Sequence, residues 1–261
     1  MPRRILVCQS REDLFEAAAQ FVVQSLPFQP DSGKTYSVAL SGGSTPQRLF
    51  ARLSADPYRS QIDWSSVRIF WGDEREVPPD HSESNFRMAK ENLLDHVPIP
   101  PDQVFRMEGE RPAQEAAVRY EEVLHRAFSH KNKEGVPRFD LILLGMGSDG
   151  HTASLFPETL VLEEREQWVA APWVEKFHTH RITLTPPVFN AAKRVLFVVG
   201  GSDKDKAAEA VLEGPFQPNR YPAQIVNPGQ GDVVWLLDCE AASRLKEASF
   251  TEWTRDSRKV M

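Results

Sequence analysis

An aspartate and a histidine lie in a glycine-rich run that directly follows a short apolar segment, residues 139–144. The run contains Asp149 and His151 together with Gly145, Gly147 and Gly150. A histidine exchanges protons near neutral pH, and a neighbouring carboxylate can orient its ring or share the proton transfer. Glycines let a ligand approach the backbone closely. The run predicts a site of acid–base chemistry, and the alternative is a glycine-rich turn that carries a surface histidine.

A loop of small and hydroxylated residues follows a second apolar segment, residues 36–40. Its residues are Ser41, Gly42, Gly43, Ser44, Thr45 and Pro46. Free backbone N–H groups between a strand and a helix N-terminus form a cradle suited to a phosphate. The loop has neither the Gly-Lys-Ser/Thr of a Walker loop nor the dinucleotide fingerprint. Alternatively, Ser44 or Thr45 caps the helix; capping and phosphate binding use the same geometry, so both interpretations stay open.

Charged residues follow a third strand-like segment, residues 67–71. Directly after Gly72 come Asp73, Glu74 and Arg75. Arg75 could hold a carboxylate, a phosphate or a developing oxyanion, and Asp73 could fix Arg75 or a substrate hydroxyl. The ordinary alternative is a solvated charge cluster, and the sequence leaves open whether Glu74 enters the pocket or faces solvent.

Strand-like and helical segments alternate along the chain. Predicted strands cover residues 4–7, 36–40, 67–71, 141–144, 194–199 and 233–237, and predicted helices cover residues 12–25, 47–53, 83–94, 115–128 and 204–212. This alternation predicts an α/β fold with a Rossmann-like, mostly parallel sheet and helices on both faces. Ligands in such folds bind at the carboxyl ends of strands, where the three motifs lie. Because no long linker separates two cores, we predict one domain over residues 1–261.

Composition argues against several classes of protein, among them nucleic-acid-binding and membrane proteins. The formal net charge of -6 argues against nonspecific nucleic-acid binding. The amino terminus lacks the apolar run of a signal peptide, and no apolar segment has membrane-spanning length, so we expect no membrane association. Cys8 and Cys239 form no disulfide pattern, which is typical of a reducing compartment, and the predicted location is the cytoplasm. The oligomeric state stays open, with a slight preference for a monomer.

Taken in order, the three motifs resemble those of the 6-phosphogluconolactonases, in a superfamily that includes glucosamine-6-phosphate deaminase. The likeness continues through residues 181–185, 200–212, 221–223 and 234–238, and so spans nearly the whole chain. One departure is Glu158, where the family often has glycine. By resemblance, Arg181 and Lys206 point into the pocket and help to neutralise a phosphate. For Lys206 the alternative is a solvent-facing position on a helix.

The resemblance implies hydrolysis of a phosphosugar lactone, 6-phosphogluconolactone, to 6-phosphogluconate in the oxidative pentose phosphate pathway, with no cofactor. His151 would act as general base on water and then as general acid toward the ring oxygen. Arg75 or backbone N–H groups of residues 145–150 would stabilise the oxyanion. Asp149 would orient His151 or bind a sugar hydroxyl.

Other chemistries have weaker support. No Gly-x-Ser-x-Gly elbow surrounds a serine, which argues against a serine esterase. His178 and His180 have no cysteine partner nearby in sequence, and their spacing of two residues is not that of a zinc motif, so we expect no zinc site. The related deaminases carry a glutamate five residues after the histidine, where this chain has Phe156, which cannot transfer protons. A noncatalytic sugar-phosphate sensor would normally have lost His151 or Arg75 and gained an output module, and neither condition holds.

Overall fold

The computed structural model describes residues 3–26, 35–128 and 135–254. Its strands are β1 (Arg4–Cys8), β2 (Tyr36–Leu40), β3 (Val67–Trp71), β4 (Asp73–Arg75), β5 (Leu141–Leu144), β6 (Val169–Ala170), β7 (Trp173–Val174), β8 (Thr179–Leu184), β9 (Arg194–Val199), β10 (Asp232–Asp238) and β11 (Thr251–Glu252). Its α-helices are α1 (Arg11–Ser25), α2 (Ser44–Leu53), α3 (Asn85–Asn92), α4 (Ala113–Phe128), α5 (Pro186–Ala191) and α6 (Asp205–Leu212). Each predicted strand and helix has a counterpart among these elements.

A parallel sheet of seven strands forms the centre of the fold, in the order β11-β1-β10-β9-β5-β2-β3. Every residue of β2 and β5 is buried. Because successive side chains of a strand point to opposite faces, this burial means that both faces of the sheet are covered. On one face Phe197 of β9 stacks on Trp235 of β10, with ring centroids 3.7 Å apart. The predicted α/β fold with a parallel sheet is confirmed.

A smaller antiparallel sheet, in the order β4-β8-β6, adjoins the carboxyl end of β3. The chain passes from one sheet to the other at Gly72, whose N–H donates to the Leu40 carbonyl at 2.8 Å. The Gly72 carbonyl accepts from the Leu184 N–H of β8, also at 2.8 Å. The charged tripeptide after Gly72 is therefore a strand with defined neighbours, and not the solvated charge cluster that its composition also allowed.

The strand order brings the sequence motifs together. β9, β5, β2 and β3 are consecutive in the sheet, and their carboxyl ends carry residues 200–204, 145–151, 41–46 and 72–75. Carboxyl ends of parallel strands share one edge, which is where open α/β sheets bind ligands. Within the described ranges, no helix has the length and apolar character needed to cross a membrane.

Candidate active site

A cavity of about 230 Å³ lies at this edge of the sheet. Its walls include Ser41, Gly42, Gly43, Ser44, Thr45, Asp73, Arg75, His151 and Lys204. Eight of the sequence-predicted site residues lie on these walls. A ninth, Asp149, lies behind the wall in contact with His151. Arg181 and Lys206 are predicted site residues that do not line the cavity.

The imidazole of His151 forms a hydrogen-bonded pair with the Asp149 carboxylate. The bond joins Nδ1 of His151 to Oδ1 of Asp149, and Oδ2 of Asp149 accepts from Nζ of Lys176 at 3.0 Å. Burial acts to raise the pKa of Asp149, but the hydrogen bond and charge of His151, with the bond from Lys176, hold that pKa well below its ordinary value. Asp149 thus stays ionised and holds the proton on Nδ1. Within the described chain, Nε2 of His151 has no hydrogen-bond partner and is available as a base.

Packing defines the orientation of the His151 ring. One face stacks on Phe156, with ring centroids 4.1 Å apart and an angle of 25° between the planes. The imidazole also lies directly against the backbone of Gly147, where any Cβ would collide with it. The Gly147 N–H donates to the His151 carbonyl at 2.9 Å, which closes the turn. Glycine at 147 therefore serves close approach of the His151 ring, whereas the sequence predicted a turn and close approach of a ligand.

The 41–45 loop presents unpaired donors to the cavity. Gly43 is the N-cap of α2 with φ of 108°, and no side chain caps the helix. The interpretation of Ser44 or Thr45 as the cap is therefore wrong, because both residues already lie in the first turn. Their backbone N–H groups have no hydrogen-bond partner in the described chain, and neither has the buried hydroxyl of Ser41. A helix N-terminus with free N–H groups favours an anion.

Arg75 and Arg181 are direct cross-strand neighbours on β4 and β8. Nη1 of Arg75 donates to the Glu83 carbonyl at 2.7 Å, and the Arg181 guanidinium lies 5.1 Å from the centroid of the Phe177 ring. Burial, and then the charge of Arg75, lowers the pKa of Arg181. Like charges directly opposite each other are unfavourable in a sheet. This concentration of positive charge beside the cavity is suited to a bound anion.

The two carboxylates of β4 have different surroundings. Glu74 is buried and accepts from the backbone N–H groups of Asn85 at 2.7 Å and Phe86 at 2.8 Å, so it caps α3 and neither enters the cavity nor faces solvent. Asp73 lines the cavity, and its Oδ2 accepts from the Ser154 hydroxyl at 2.8 Å. Ser154 and Asn85 are its side-chain partners in the described chain, so Asp73 does not pair with Arg75.

Lys204, and not Lys206, lies on the cavity wall. Lys204 ends a short 3₁₀-helix, Ser202–Lys204, whose N-cap Gly201 has φ of 104°. The Gly201 N–H donates to both carboxylate oxygens of Asp238, at 3.1 and 2.9 Å, which anchors the turn to the end of β10. Lys206 lies two residues later on α6 and is exposed. The two side chains therefore project from different elements, which the helical pattern of residues 204–212 did not resolve.

A family described as glucosamine-6-phosphate isomerases/6-phosphogluconolactonase matches residues 9–235. The chain belongs to this family. It is 38% identical over 256 residues to the 6-phosphogluconolactonase of Homo sapiens, which covers 95% of this chain and 96% of the human protein. It is 40% identical over 212 residues to the 6-phosphogluconolactonase of Synechocystis, over 80% of this chain and 85% of that protein.

A solved structure of similar fold is that of a 6-phosphogluconolactonase from Trypanosoma cruzi. The TM-score is 0.83 at 30% sequence identity, over 94% of this chain and 97% of the trypanosomal chain. The resemblance inferred from the motifs is thus confirmed. Within the glucosamine-6-phosphate isomerase/6-phosphogluconolactonase family, this chain has Phe156 packed on His151 where the resemblance places a glutamate in the deaminases.

Three residues of this family member contribute to the site without having been predicted from sequence. Lys204 lies two residues before Lys206, and its place on the 3₁₀-helix rather than on α6 distinguishes the two. Asp238 holds the backbone of that turn, and Lys176 contacts Asp149 from 27 residues away in sequence. Lys176 lies in none of the sequence motifs, and Asp238 ends the stretch 234–238 that carries part of the resemblance but suggested no role for it. Among the described residues, no three histidine, cysteine, aspartate or glutamate side chains are arranged to hold a metal ion.

Proposed function

We propose that the protein hydrolyses the ring ester of 6-phosphogluconolactone to 6-phosphogluconate, a step of the oxidative pentose phosphate pathway. One observation carries this proposal: His151, whose Nε2 has no hydrogen-bond partner in the described chain, lines a cavity that is also lined by the 41–45 loop and by two cations, Arg75 and Lys204. A lactone that carries a phosphate needs both a proton acceptor and an anion site. The names of the relatives support the same substrate.

The phosphate is bound, in this proposal, by the 41–45 loop together with Lys204. The N–H groups of Ser44 and Thr45 and the hydroxyl of Ser41, which have no partner among the described residues, supply hydrogen bonds at the positive end of the α2 dipole. Lys204, whose Nζ also lies 2.9 Å from Oδ2 of Asp203, adds an ammonium group that can bind the phosphate. Arg181 contributes from beside the cavity through its charge, and Lys206 has no part in binding.

The chemical step needs one group that first accepts and then donates a proton. Nε2 of His151 removes a proton from water as the water oxygen bonds to C1 of the lactone. Negative charge develops on the carbonyl oxygen, and Arg75 is the proposed partner of this oxyanion. The N–H groups of Gly147 and Gly150 are less suitable, because they already donate within the turn. When the bond from C1 to the ring oxygen breaks, protonated His151 returns the proton to that oxygen.

Asp149 orients His151 in this mechanism and does not bind a sugar hydroxyl. Both of its carboxylate oxygens are engaged, one by His151 and the other by Lys176. Its negative charge also stabilises the imidazolium that forms when water is deprotonated. Asp73, buried at the cavity wall beside Ser154, is the proposed acceptor for a substrate hydroxyl.

The decisive experiment follows 6-phosphogluconate production from freshly generated 6-phosphogluconolactone. A coupled NADP-dependent dehydrogenase reports the product, and an enzyme-free reaction gives the spontaneous rate. The expected result is a rate above that background in proportion to protein concentration. His151→Gln should lower kcat by a factor of about 10² to 10⁴, the range of general acid–base catalysis.

The matched control is His96→Gln, which replaces an exposed histidine whose ring hydrogen-bonds the Glu91 carbonyl at 2.9 Å. It should leave the rate unchanged. Folded wild-type protein that gives no rate above background would refute the proposed function. The same preparation should release no ammonia from glucosamine 6-phosphate, because Phe156 offers no proton for opening an aminosugar ring.

A further inference from the structure

The Asp149–His151 pair separates two cavities. His151 lines the cavity of about 230 Å³ already described, while Asp149 lines a neighbouring cavity of about 790 Å³. The second cavity also contains Lys176, whose Nζ donates to Asp149 Oδ2 at 3.0 Å. Asp149 is the one described carboxylate within 4.0 Å of that ammonium group. A cation from the larger cavity thus contacts the pair, while the proposed substrate occupies the smaller one.

The segment that carries Lys176 is held against the pair by aromatic contacts. Lys176 lies in a 3₁₀-helix, Glu175–Phe177, between β7 and β8. Phe177 packs edge-on against Phe156, with ring centroids 5.6 Å apart, and Phe156 stacks on His151. The segment therefore contacts the pair in two ways. Lys176 pairs with Asp149, and Phe177 packs on the Phe156 ring that stacks on His151.

We propose that Lys176 is a positioning residue that lowers the proton affinity of His151 by sharing the negative charge of Asp149. This inference rests on the proposed function, in which His151 acts as the general base. An unshared carboxylate at Nδ1 favours the protonated imidazolium and so withdraws the base as the pH falls. An ammonium group on the second carboxylate oxygen opposes that effect. Lys176 thereby keeps neutral His151 available at lower pH.

Other charges surround the pair and must be considered. On the two cavity walls these are Asp73, Arg75, Lys204, Glu158, Glu164 and Glu175. Arg181 lies over the Phe177 ring at 5.1 Å. Lys176 differs from all of them because it alone among the described cations forms an ion pair with Asp149. Its side chain is 55% exposed, so the coupling is partly screened by solvent and salt.

The test is a titration of the His151 ring by NMR in wild type and in Lys176→Met, which removes the charge and keeps the apolar stem. His151→Gln identifies the signal among the 7 histidines. We expect the His151 midpoint to rise by about 0.5 to 1 pH unit in Lys176→Met, and Lys176→Arg to restore it. The acid limb of kcat/KM should move by the same amount, a loss of about threefold to tenfold at its low-pH end.

Lys90→Met is the matched control, because Lys90 pairs with Asp95 at 2.7 Å and has similar exposure at 50%. It should leave the midpoint in place. An unchanged His151 midpoint in Lys176→Met would overturn the inference regardless of activity. A raised midpoint without a matching shift of the acid limb would also overturn it, since Lys176 would then affect a histidine that is not the base. A protein with no lactonase activity would instead fail the separate test of function.

Discussion

The ring of Phe156 stacks on the imidazole of His151, with centroids 4.1 Å apart and planes 25° from parallel. The same phenylalanine replaces the glutamate that the resemblance assigns to the deaminases. Its position therefore does more than remove a proton donor. It covers one face of the proposed base, excludes water from that face and limits rotation of the ring.

Replacing this ring should impair catalysis more than binding. Phe156→Leu is expected to lower kcat about tenfold with little change in KM, because the imidazole loses its stacking partner while the phosphate site stays intact. Steady-state kinetics with the lactone measure both constants. Phe216→Leu, at a side chain that is 73% exposed, is the control. A larger effect on KM than on kcat would contradict this role of Phe156.

Asp149→Asn should show how much the orientation of the His151 ring contributes to kcat, because His151 itself is retained. The amide keeps the shape but cannot hold the proton on Nδ1 as a carboxylate does, so we expect kcat to fall by a factor of about 10 to 100. Phosphate binding should be almost unaffected, and competition by inorganic phosphate measures it. Wild-type kcat in this variant would show that the carboxylate does not orient the base.

Lys204→Ala and Lys206→Ala form a natural pair, since the two lysines lie two residues apart on different elements. Removing Lys204 from the cavity wall should raise KM at least tenfold, the loss of one charge-assisted hydrogen bond to phosphate. Removing exposed Lys206 should change KM by less than about twofold. A larger rise of KM in Lys206→Ala than in Lys204→Ala would show that Lys206, and not Lys204, binds the phosphate.

Glu158 has a left-handed backbone conformation, with φ of 63°, at the position where the resemblance to the 6-phosphogluconolactonases implies glycine. Such torsions cost a residue with a Cβ about 1 to 2 kcal/mol, whereas glycine adds about 0.4 to 1 kcal/mol of unfolded-state entropy. We therefore expect Glu158→Gly to raise the free energy of unfolding by about 0.5 to 1 kcal/mol in urea. Glu122→Gly, at an exposed position inside α4, should instead lower it by about 1 kcal/mol.

Asp140 should contribute stability that is lost in acid. This buried carboxylate accepts from the Ser37 N–H and hydroxyl, each at 2.9 Å, and from Nζ of Lys193 at 2.6 Å. Burial acts to raise its pKa, but these partners hold the pKa below the ordinary 3.8. A lowered folded-state pKa gives stability that is complete above the unfolded value and disappears as the pH falls through the folded value.

Asp140→Asn is therefore expected to lower the free energy of unfolding by about 1 to 3 kcal/mol near neutral pH, with a smaller loss below pH ~3. Urea denaturation at several pH values measures this difference. Asp95→Asn, at an exposed ion pair with Lys90, should change stability by less than about 1 kcal/mol. A loss that stayed constant from neutral to acid pH would contradict the ionic contribution of Asp140.

Several features could be predicted from residues close together in the chain. Apolar runs such as residues 36–40 and 141–144 indicated buried parallel strands, and both are buried along their full length. The 41–46 loop indicated an anion cradle, and within the described residues the N–H groups of Ser44 and Thr45 have no hydrogen-bond partner. These signals are local, because strand burial, turn conformation and helix termini depend on a few consecutive residues.

Other features depend on contacts between distant parts of the chain. From the sequence, Phe156 indicates only that position 156 has no proton donor. Its stacking on His151 is a tertiary contact that the sequence does not predict. That Lys204 and not Lys206 lines the cavity follows from the 3₁₀-helix that carries Lys204. Asp238, at the end of the next strand, holds this helix in place. The sequence does not predict that Glu74 caps α3, because the cap forms only where the fold places residues 84–86 against β4.

Short ordered motifs along the chain specify the family, the alternation of strands and helices, and the proposed base. Which charged side chains meet depends on the folded arrangement of the chain. The order of β9, β5, β2 and β3 sets Lys204, His151, the 41–45 loop and Arg75 around one cavity. It also brings Lys176 to Asp149. Such pairings follow from packing of the whole chain, since side chains far apart in sequence interact only where the fold brings them within a few ångströms.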